Sequence, residues 1–254
     1  MHKNYGYKLY GAILGDLAGQ PYEFKYKGDY SEFNIHDPRS SFTDDTVMTI
    51  ATASKLLGNF ETFDQAYRYF GQKYRRLGCF GAYFERWLST PENAIGSSWG
   101  NGCLMRLSPI MYCRPRASIE FVKSIVLDSC INSHHNNDSI QACFSLHSLY
   151  VNAHIRKAST RYSPELSVEK FEKFEVSAKE TIKFCSDAYW LSQKTTEAIE
   201  KVVKLGGDTD TNASIVGELM NYTFNDLTIE DMQYVESKLD PYLLGILLDF
   251  NKKF

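Results

Sequence analysis

The sequence lacks an apolar run of membrane-spanning length, and its first residues do not have the layout of a signal peptide. A transmembrane helix needs about 20 consecutive apolar residues, and a signal peptide needs a basic segment followed by an apolar one. We therefore expect a cytoplasmic protein. A basic excess is also missing, because the formal net charge is -3, so nucleic acid and membranes are not expected partners.

The cysteines include no CxxC pair. All six are scattered along the chain, and several fall on apolar faces of predicted helices: Cys79, Cys103, Cys113, Cys130, Cys143 and Cys185. Zinc sites and disulfide frameworks ordinarily show paired or regularly spaced cysteines. The pattern therefore favours reduced thiols in a hydrophobic core.

Alternation of apolar and polar residues, the pattern of a β-strand, is almost absent, whereas helical spacing recurs along the chain. From Asp64 to Leu77 the apolar positions lie three or four residues apart, and a similar stripe runs from Val168 to Ile182. This spacing predicts amphipathic helices. The 254 residues are enough for a substantial core and show no repeat or domain boundary. We predict an all-α fold, one domain over residues 1–254, and a monomer by default.

Two predicted helix starts carry an excess of side-chain oxygens. Asp44 and Asp45 stand between two threonines, and Asp208 and Asp210 alternate with threonines, each group before an apolar run. Asp44 or Asp45 could be an N-cap that accepts a hydrogen bond from a free amide. Alternatively, the carboxylates share cations, which would relieve their mutual repulsion, and the positive ends of both helix dipoles would favour the anions. Oxygen ligands without a His/Cys cluster suit Mg²⁺, Mn²⁺ or Ca²⁺, and two ions roughly 4 Å apart become plausible.

These two motifs belong to a series of five that resembles the ADP-ribosylglycohydrolase family, which includes the dinitrogenase reductase-activating glycohydrolases. The five stretches occur in the family's order: "GAILGDLAGQPYEF", "TDDT", "SWGNGCLMRLSP", "SHHNND" and "GGDTDTNASIVG". The resemblance implies a compact orthogonal helical bundle with a dinuclear metal site between helix N-termini. It also implies the ligand, ADP-ribose, whose terminal ribose hydroxyls lie on the metals.

The resemblance assigns the metal and catalytic residues. It implies two divalent cations, Mg²⁺ ahead of Mn²⁺ or Ca²⁺, on six residues: Thr43, Asp44, Asp45, Asp208, Asp210 and Thr211. Glu23 would lie beside the metals and orient or deprotonate the attacking water, and Asp45 and Asp210 would complete the catalytic set. The residues alone also fit a different interpretation, in which Glu23 is a surface carboxylate in a turn.

A glycine-containing loop is the expected substrate-binding element. Its glycines allow close backbone approach, and its amides can form a nest for an anion. By resemblance, the loop holds the diphosphate and ribose, Trp99 stacks on adenine, and a histidine contacts the substrate: Ser98, Trp99, Gly100, Asn101, Gly102 and His134. The alternatives are a glycine-rich turn around a buried tryptophan, and a histidine that caps a helix or lies on the surface.

Other positions are less determined. Asp16 could be a group behind the metal ligands or a local hydrogen-bond acceptor. Arg106 could anchor a phosphate or bond a neighbouring carboxylate or loop carbonyl. His135 and Asn136 depart from the family's pattern, and the segment after Gly217 lacks the family's glycine-rich continuation. Because of that last departure, the resemblance does not determine the shape of the leaving-group side of the pocket.

The expected activity is hydrolysis of the bond between the distal ribose C1 and a side-chain nitrogen or oxygen of an ADP-ribosylated protein, or of a related small ADP-ribose conjugate. Arginine and serine linkages are both open, because one fold and metal set serves several acceptors. A non-catalytic ADP-ribose binder, or an immunity protein that occludes a toxin, is the alternative. A third class is a structural use of the fold, in which metals only join helices.

Overall fold

The structure is a computed structural model that describes residues 7–24, 33–92, 94–113, 118–158 and 174–254. The described residues contain 14 α-helices: α1 Tyr10–Gly19, α2 Asp44–Leu57, α3 Phe63–Tyr74, α4 Ala82–Leu88, α5 Gly102–Met105, α6 Ser108–Met111, α7 Ile119–Ile131, α8 Asn137–Val151, α9 Ala153–Ala158, α10 Ala178–Trp190, α11 Thr195–Leu205, α12 Thr209–Phe224, α13 Ile229–Lys238 and α14 Pro241–Lys253. Two short 3₁₀ helices, Gln20–Tyr22 and Arg75–Leu77, follow α1 and α3.

The all-α prediction is confirmed. Within the described ranges there is no β-strand, only isolated antiparallel bridges from Ser97 to His134 and from Gly100 to Ser177. No helix in those ranges is long and apolar enough to cross a membrane.

The predicted helices begin where the sequence provides caps. Thr62 accepts a hydrogen bond from the Gln65 amide at 3.2 Å and starts α3, which covers most of the predicted stripe from Asp64 to Leu77. The stripe that starts at Val168 lies outside the described residues up to position 173, and its last turn falls in α10.

Helices α1 and α12 pack backbone to backbone. A Cβ added at Gly15 would lie 2.1 Å from the Ala213 carbonyl oxygen, and one added at Gly19 would lie 2.4 Å from the Thr209 carbonyl oxygen. Only glycine permits such an approach. The Thr209 hydroxyl also donates to the Gly19 carbonyl at 2.9 Å. The glycines of the first motif thus hold the end of α1 against the start of α12.

Buried apolar side chains from α1, α2, α8, α11, α12 and α14 join in one cluster in the described part of the chain. This core surrounds the helix starts that carry the aspartates. The division into a single domain stays a prediction, and the core is consistent with it.

Candidate active site

Asp16 of α1 fixes the start of α2. Its carboxylate accepts hydrogen bonds from the Thr43 amide at 2.9 Å and hydroxyl at 2.8 Å, and from the Thr46 amide at 3.1 Å and hydroxyl at 2.5 Å. Asp16 is completely buried. Its role is therefore to cap α2 from a neighbouring helix, which orients the two aspartates that follow Thr43.

The N-cap of α2 is Thr43, whose hydroxyl accepts from the Asp45 amide at 3.3 Å. The cap interpretation of Asp44 and Asp45 is therefore wrong, and their carboxylates are not used to start the helix. Asp208 occupies the N-cap position of α12, but its side chain makes no capping hydrogen bond. Asp210 does satisfy one free amide of the first turn, since its Oδ1 accepts from the Thr211 amide at 2.9 Å.

The N-terminal ends of α2 and α12 lie against each other. The Thr211 hydroxyl donates to Asp45 Oδ2 at 3.1 Å, which joins α12 to α2. Glu23, which follows the 3₁₀ helix after α1, offers a carboxylate oxygen within 4.8 Å of one oxygen on each of Asp208 and Asp210. We call Glu23, Asp44, Asp45, Asp208 and Asp210 the acidic cluster.

The acidic cluster borders a cavity of about 600 Å³, a volume typical of ligand sites. Of the predicted site residues, Thr43 alone is absent from its described wall. The predicted residues that line it are Glu23, Asp44, Asp45, Ser98, Trp99, Gly100, Asn101, Gly102, His134, Asp208, Asp210 and Thr211. Thr43 instead donates to Asp16 and acts as the helix cap.

Burial and like charge disfavour ionisation throughout the acidic cluster. Burial, followed by the charge of Asp210, raises the pKa of Glu23 to about 8. Burial raises the pKa of Asp208 to about 6. Burial raises the pKa values of Asp44 and Asp45 well above the usual range, and the charges of Asp210 and Asp16 raise them further. The protein without cations therefore holds protons here that exposed carboxyl groups would lose.

These residues fit a hard divalent cation. Asp45 Oδ1 is buried and has no hydrogen-bond partner among the described residues. A buried acceptor without a partner is energetically costly, and a bound cation would remove that cost. The other donors in the cluster are carboxylate oxygens, the ligands that Mg²⁺, Mn²⁺ and Ca²⁺ prefer. Occupation by two cations stays a prediction.

The predicted substrate loop forms the opposite wall of the cavity. Asn101 connects the walls, because its side-chain amide donates to Asp208 Oδ2 at 2.7 Å and to the Thr181 hydroxyl at 3.3 Å. Asn136 caps α8 and its amide donates to the Ser98 carbonyl. Asn136, which departs from the family's pattern, therefore positions the loop.

Several loop amides are already paired. The Ser98 amide donates to the Ser133 carbonyl at 3.0 Å, and the Asn101 amide donates to the Val176 carbonyl at 2.8 Å. The Gly100 amide donates to the Ser98 hydroxyl at 3.2 Å. An anion nest of successive free amides is therefore not formed in this conformation, and a diphosphate here would need other donors.

Aromatic rings surround the entrance of the cavity. Trp99 is 47% exposed, which contradicts the alternative of a buried tryptophan. Its ring meets that of Tyr83 edge to face, with centroids 6.4 Å apart. Phe24 and Phe174 form a second pair at 4.8 Å. Phe24 ends the first quoted motif, whereas Tyr83 and Phe174 were not singled out in the sequence, because only the fold brings the three rings to one cavity.

His134 and Arg106 are both buried beneath the loop. His134 Nδ1 lies 2.8 Å from the Ser133 hydroxyl, and burial followed by the Arg106 charge lowers the pKa of His134, so the imidazole is neutral. Arg106 donates to the Ser129 carbonyl at 2.9 Å and to the Ser133 hydroxyl at 2.7 Å. The carbonyl that Arg106 bonds belongs to Ser129 in the last turn of α7, so it is neither a loop carbonyl nor a carboxylate. Arg106 also lines the cavity, and its role as a phosphate anchor stays a prediction.

The segment after Gly217 lies away from the cavity. Glu218 accepts hydrogen bonds from the Leu9 amide at 2.9 Å and the Ala12 amide at 3.0 Å, so it satisfies the free amides at the start of α1. None of residues 218–227 belongs to the described wall of the cavity. The segment therefore makes no direct contribution to the described wall of the cavity.

Comparisons with known proteins agree on the family and the fold. The family model described as ADP-ribosylglycohydrolase matches residues 8–183. A solved structure, described as an ADP-ribosylglycohydrolase-related protein complex, is similar with a TM-score of 0.68 and 19% sequence identity over 98% of each chain. At that identity the likeness shows the fold. No curated protein matches the sequence.

Proposed function

The chain belongs to the ADP-ribosylglycohydrolase family, and from this premise we propose that it is a metal-dependent hydrolase that releases ADP-ribose from ADP-ribosylated side chains. The bond cleaved would join the distal ribose C1 to an arginine or serine side chain, or to a small acceptor. The observation that carries the proposal is the convergence of the acidic cluster from three separate stretches of sequence on one cavity.

Cleavage at C1 develops oxocarbenium-like charge on the ribose and requires a water positioned to attack C1. Glu23 is the proposed general base, because its carboxylate borders the cavity beside Asp208 and Asp210. Glu23 accepts a proton only when its carboxyl group is ionised. A positive charge that offsets the negative charge of Asp210 favours the ionised form at neutral pH.

Asp44, Asp45, Asp208 and Asp210 are the proposed cation ligands, with the Thr211 hydroxyl beside them. Thr43 is proposed to act indirectly, because its hydroxyl is bonded to Asp16. A divalent cation bound there would hold the ribose diol and polarise water. Asn101 restrains Asp208 and connects it to the substrate loop.

The loop and the aromatic rings are the proposed binding elements for the remainder of ADP-ribose. Trp99 offers an exposed ring for adenine, with Tyr83 beside it. The neutral imidazole of His134 lies near Gly102, because a Cβ added at Gly102 would be 3.6 Å from its Nε2. A neutral ring can donate to a hydroxyl or accept from one.

The proposal is tested by release of free ADP-ribose from proteins modified separately on arginine and on serine, and from a small ADP-ribose conjugate. Each reaction is run with Mg²⁺, with Mn²⁺ and with chelator. We expect release that the chelator abolishes, and the substrate that reacts names the linkage. Tight binding of ADP-ribose without release from any of these substrates would contradict the hydrolase and support a non-catalytic or occluding binder.

A further inference from the structure

Three thiols from separate parts of the sequence meet behind the substrate loop. Cys103 lies in α5 directly after the loop, Cys130 lies near the end of α7, and Cys143 lies within α8. Their sulfur atoms are all within 4.8 Å of one another, and each residue is at most 1% exposed. We call these three residues the thiol cluster. It contributes nothing to the wall of the cavity.

The spacing of the sulfurs is compatible with a shared metal ion. A zinc–sulfur bond of about 2.3 Å puts the sulfurs of neighbouring ligands roughly 4 Å apart. All three cysteines are free thiols. Their hydrogen bonds are weak, since the Cys103 and Cys130 sulfurs lie 3.6 Å from backbone carbonyl oxygens and the Cys143 sulfur lies 3.9 Å from one.

A buried cation adjoins the thiol cluster. Arg106 is 1% exposed, its guanidinium lies 4.0 Å from the ring centre of Tyr67, and its Nε has no hydrogen-bond partner. Among the described residues no carboxylate is within ion-pair distance of Arg106. A buried charge without a counter-charge is costly, so a negative charge close to Arg106 would be stabilising.

Thiolates in the neighbouring cluster would supply that charge, because the Arg106 charge acts on both Cys103 and Cys130. Hydrogen bonds with Cys103 and Cys143, together with the Arg106 charge, lower the pKa of Cys130. Burial raises the pKa of Cys103, and hydrogen bonds with Cys103 and Cys130 raise the pKa of Cys143, so a cation that binds all three sulfurs displaces the protons of those two thiols. Three thiolates and one guanidinium leave a net charge of about -2, which a divalent cation would neutralise and a monovalent cation would halve. Thiolates are soft ligands that select Zn²⁺ or Cu⁺ over the hard cations suited to the acidic cluster.

We propose that Cys103, Cys130 and Cys143 form a second metal site, a three-thiolate site for a thiophilic cation, Zn²⁺ or Cu⁺. An ion bound there would connect the substrate loop to α7 and α8 from behind, because the Cys103 sulfur adjoins the Gly100 carbonyl and the Cys130 sulfur adjoins the His134 carbonyl. Charge balance favours Zn²⁺, whereas a three-ligand set favours Cu⁺, since structural zinc is ordinarily four-coordinate. This proposal does not depend on the activity of the acidic cluster.

The test uses the full chain, reduced, freed of metal and kept anaerobic, in excess Mg²⁺ so that oxygen sites are saturated. Zn²⁺ and Cu⁺ are titrated separately against a competing chromophoric chelator for each ion. We expect about one ion per chain for at least one metal, and X-ray absorption that shows three sulfur neighbours at about 2.3 Å. Failure of both ions to compete, or a coordination shell of oxygen and nitrogen alone, would overturn the proposal.

Cys130→Ser is expected to lower the affinity for the bound ion by more than about 100-fold, because removal of a direct ligand exceeds the 10–100-fold effect of outer-shell changes. Cys185→Ser is the matched control, since Cys185 is equally buried but lies outside the thiol cluster. Equal losses in both variants would contradict the assignment. If Cys130→Ser does not fold, the X-ray absorption of the unaltered protein decides.

Discussion

The acidic cluster and the thiol cluster lie on either side of the same substrate loop, and each gathers groups that repel one another when ionised. The acidic cluster opens onto the cavity, whereas the thiol cluster is sealed behind the wall. Asn101 bonds directly to Asp208 on one side, and two residues later Cys103 joins the other thiols. A short loop is therefore held from both sides.

The difference lies in what each cluster can reach. Carboxylates at an open cavity can share a cation with a substrate and exchange protons with water. Sealed thiols cannot contact a substrate, so any ion they bind can only position the loop. We therefore expect chemistry to depend on the acidic cluster and loop geometry to depend on the thiol cluster.

The largest expected effect is the loss of a direct cation ligand. Asp45→Asn and Asp210→Asn should each reduce ADP-ribose release by more than about 100-fold, since even outer-shell changes at metal sites cost 10–100-fold. Initial rates at saturating substrate and Mg²⁺ measure the effect. Asp231→Asn is the control, because Asp231 is as buried but caps α13. Full activity in either cavity variant would remove the acidic cluster from the mechanism.

Glu23→Gln should reduce kcat by about 10²–10⁴-fold, the usual contribution of a general base. Binding of ADP-ribose and of Mn²⁺ should persist, because the aspartates remain. Parallel rate and binding measurements separate the two effects, and Glu230→Gln on the exposed start of α13 is the control. A loss of binding equal to the loss of rate would make Glu23 a ligand and not a base.

Asn101→Ala should weaken Mg²⁺ binding by about 10–100-fold, because the Asp208 carboxylate would lose the 2.7 Å hydrogen bond that orients it. Titration calorimetry measures the change. Asn59→Ala is the control, since Asn59 bonds Ser54 outside the cavity wall. An unchanged affinity would mean that the loop and the acidic cluster are not coupled through Asn101.

Stability of the metal-free protein should fall as the pH rises from about 4 to about 8. The pKa is raised by burial to about 6 for Asp208 and to about 8 for Glu23, so the folded state binds more protons than the unfolded state in this interval. Metal binding requires ionised ligands, so Mg²⁺ should raise Tm more at pH 8 than at pH 5. Thermal melts with and without Mg²⁺ measure this, and an equal Tm rise at both pH values would contradict it.

The smallest effect should come from the thiol cluster. Cys143→Ala should lower the free energy of unfolding by about 1 kcal/mol, as is typical of a small change in a core. At saturating substrate and Mg²⁺ the rate of ADP-ribose release should stay within about twofold, because that thiol does not border the cavity. A loss as large as that of Asp210→Asn would mean that the two clusters do not differ in function.

The sequence made the acidic cluster predictable because its signals are local. Adjacent or alternating aspartates and threonines ahead of apolar runs mark helix starts. The glycines of α1 show where the start of α12 packs against that helix. The family resemblance then supplied Glu23 and the substrate loop. The helices themselves follow from apolar spacing and from caps such as Thr43 and Thr62.

The thiol cluster could not be predicted in the same way. Cys103, Cys130 and Cys143 are far apart in the sequence and resemble core cysteines one at a time, so only the packing of α5, α7 and α8 brings them together. The hydrogen bond from the Asn101 side chain to Asp208 could not be predicted from the sequence either. The role of Glu218, which accepts from the Leu9 and Ala12 amides at the start of α1, also has no local signal in the sequence.

Direct binding of Mn²⁺ to the metal-free protein tests the central claim, because electron paramagnetic resonance distinguishes free from bound ions without an assay of activity. The unaltered protein should bind about two Mn²⁺ ions per chain, Mg²⁺ should displace them, and Asp45→Asn and Asp210→Asn should each lose at least one. Absence of bound Mn²⁺ at millimolar concentration, or unchanged binding in both variants, would contradict a metal centre in the acidic cluster.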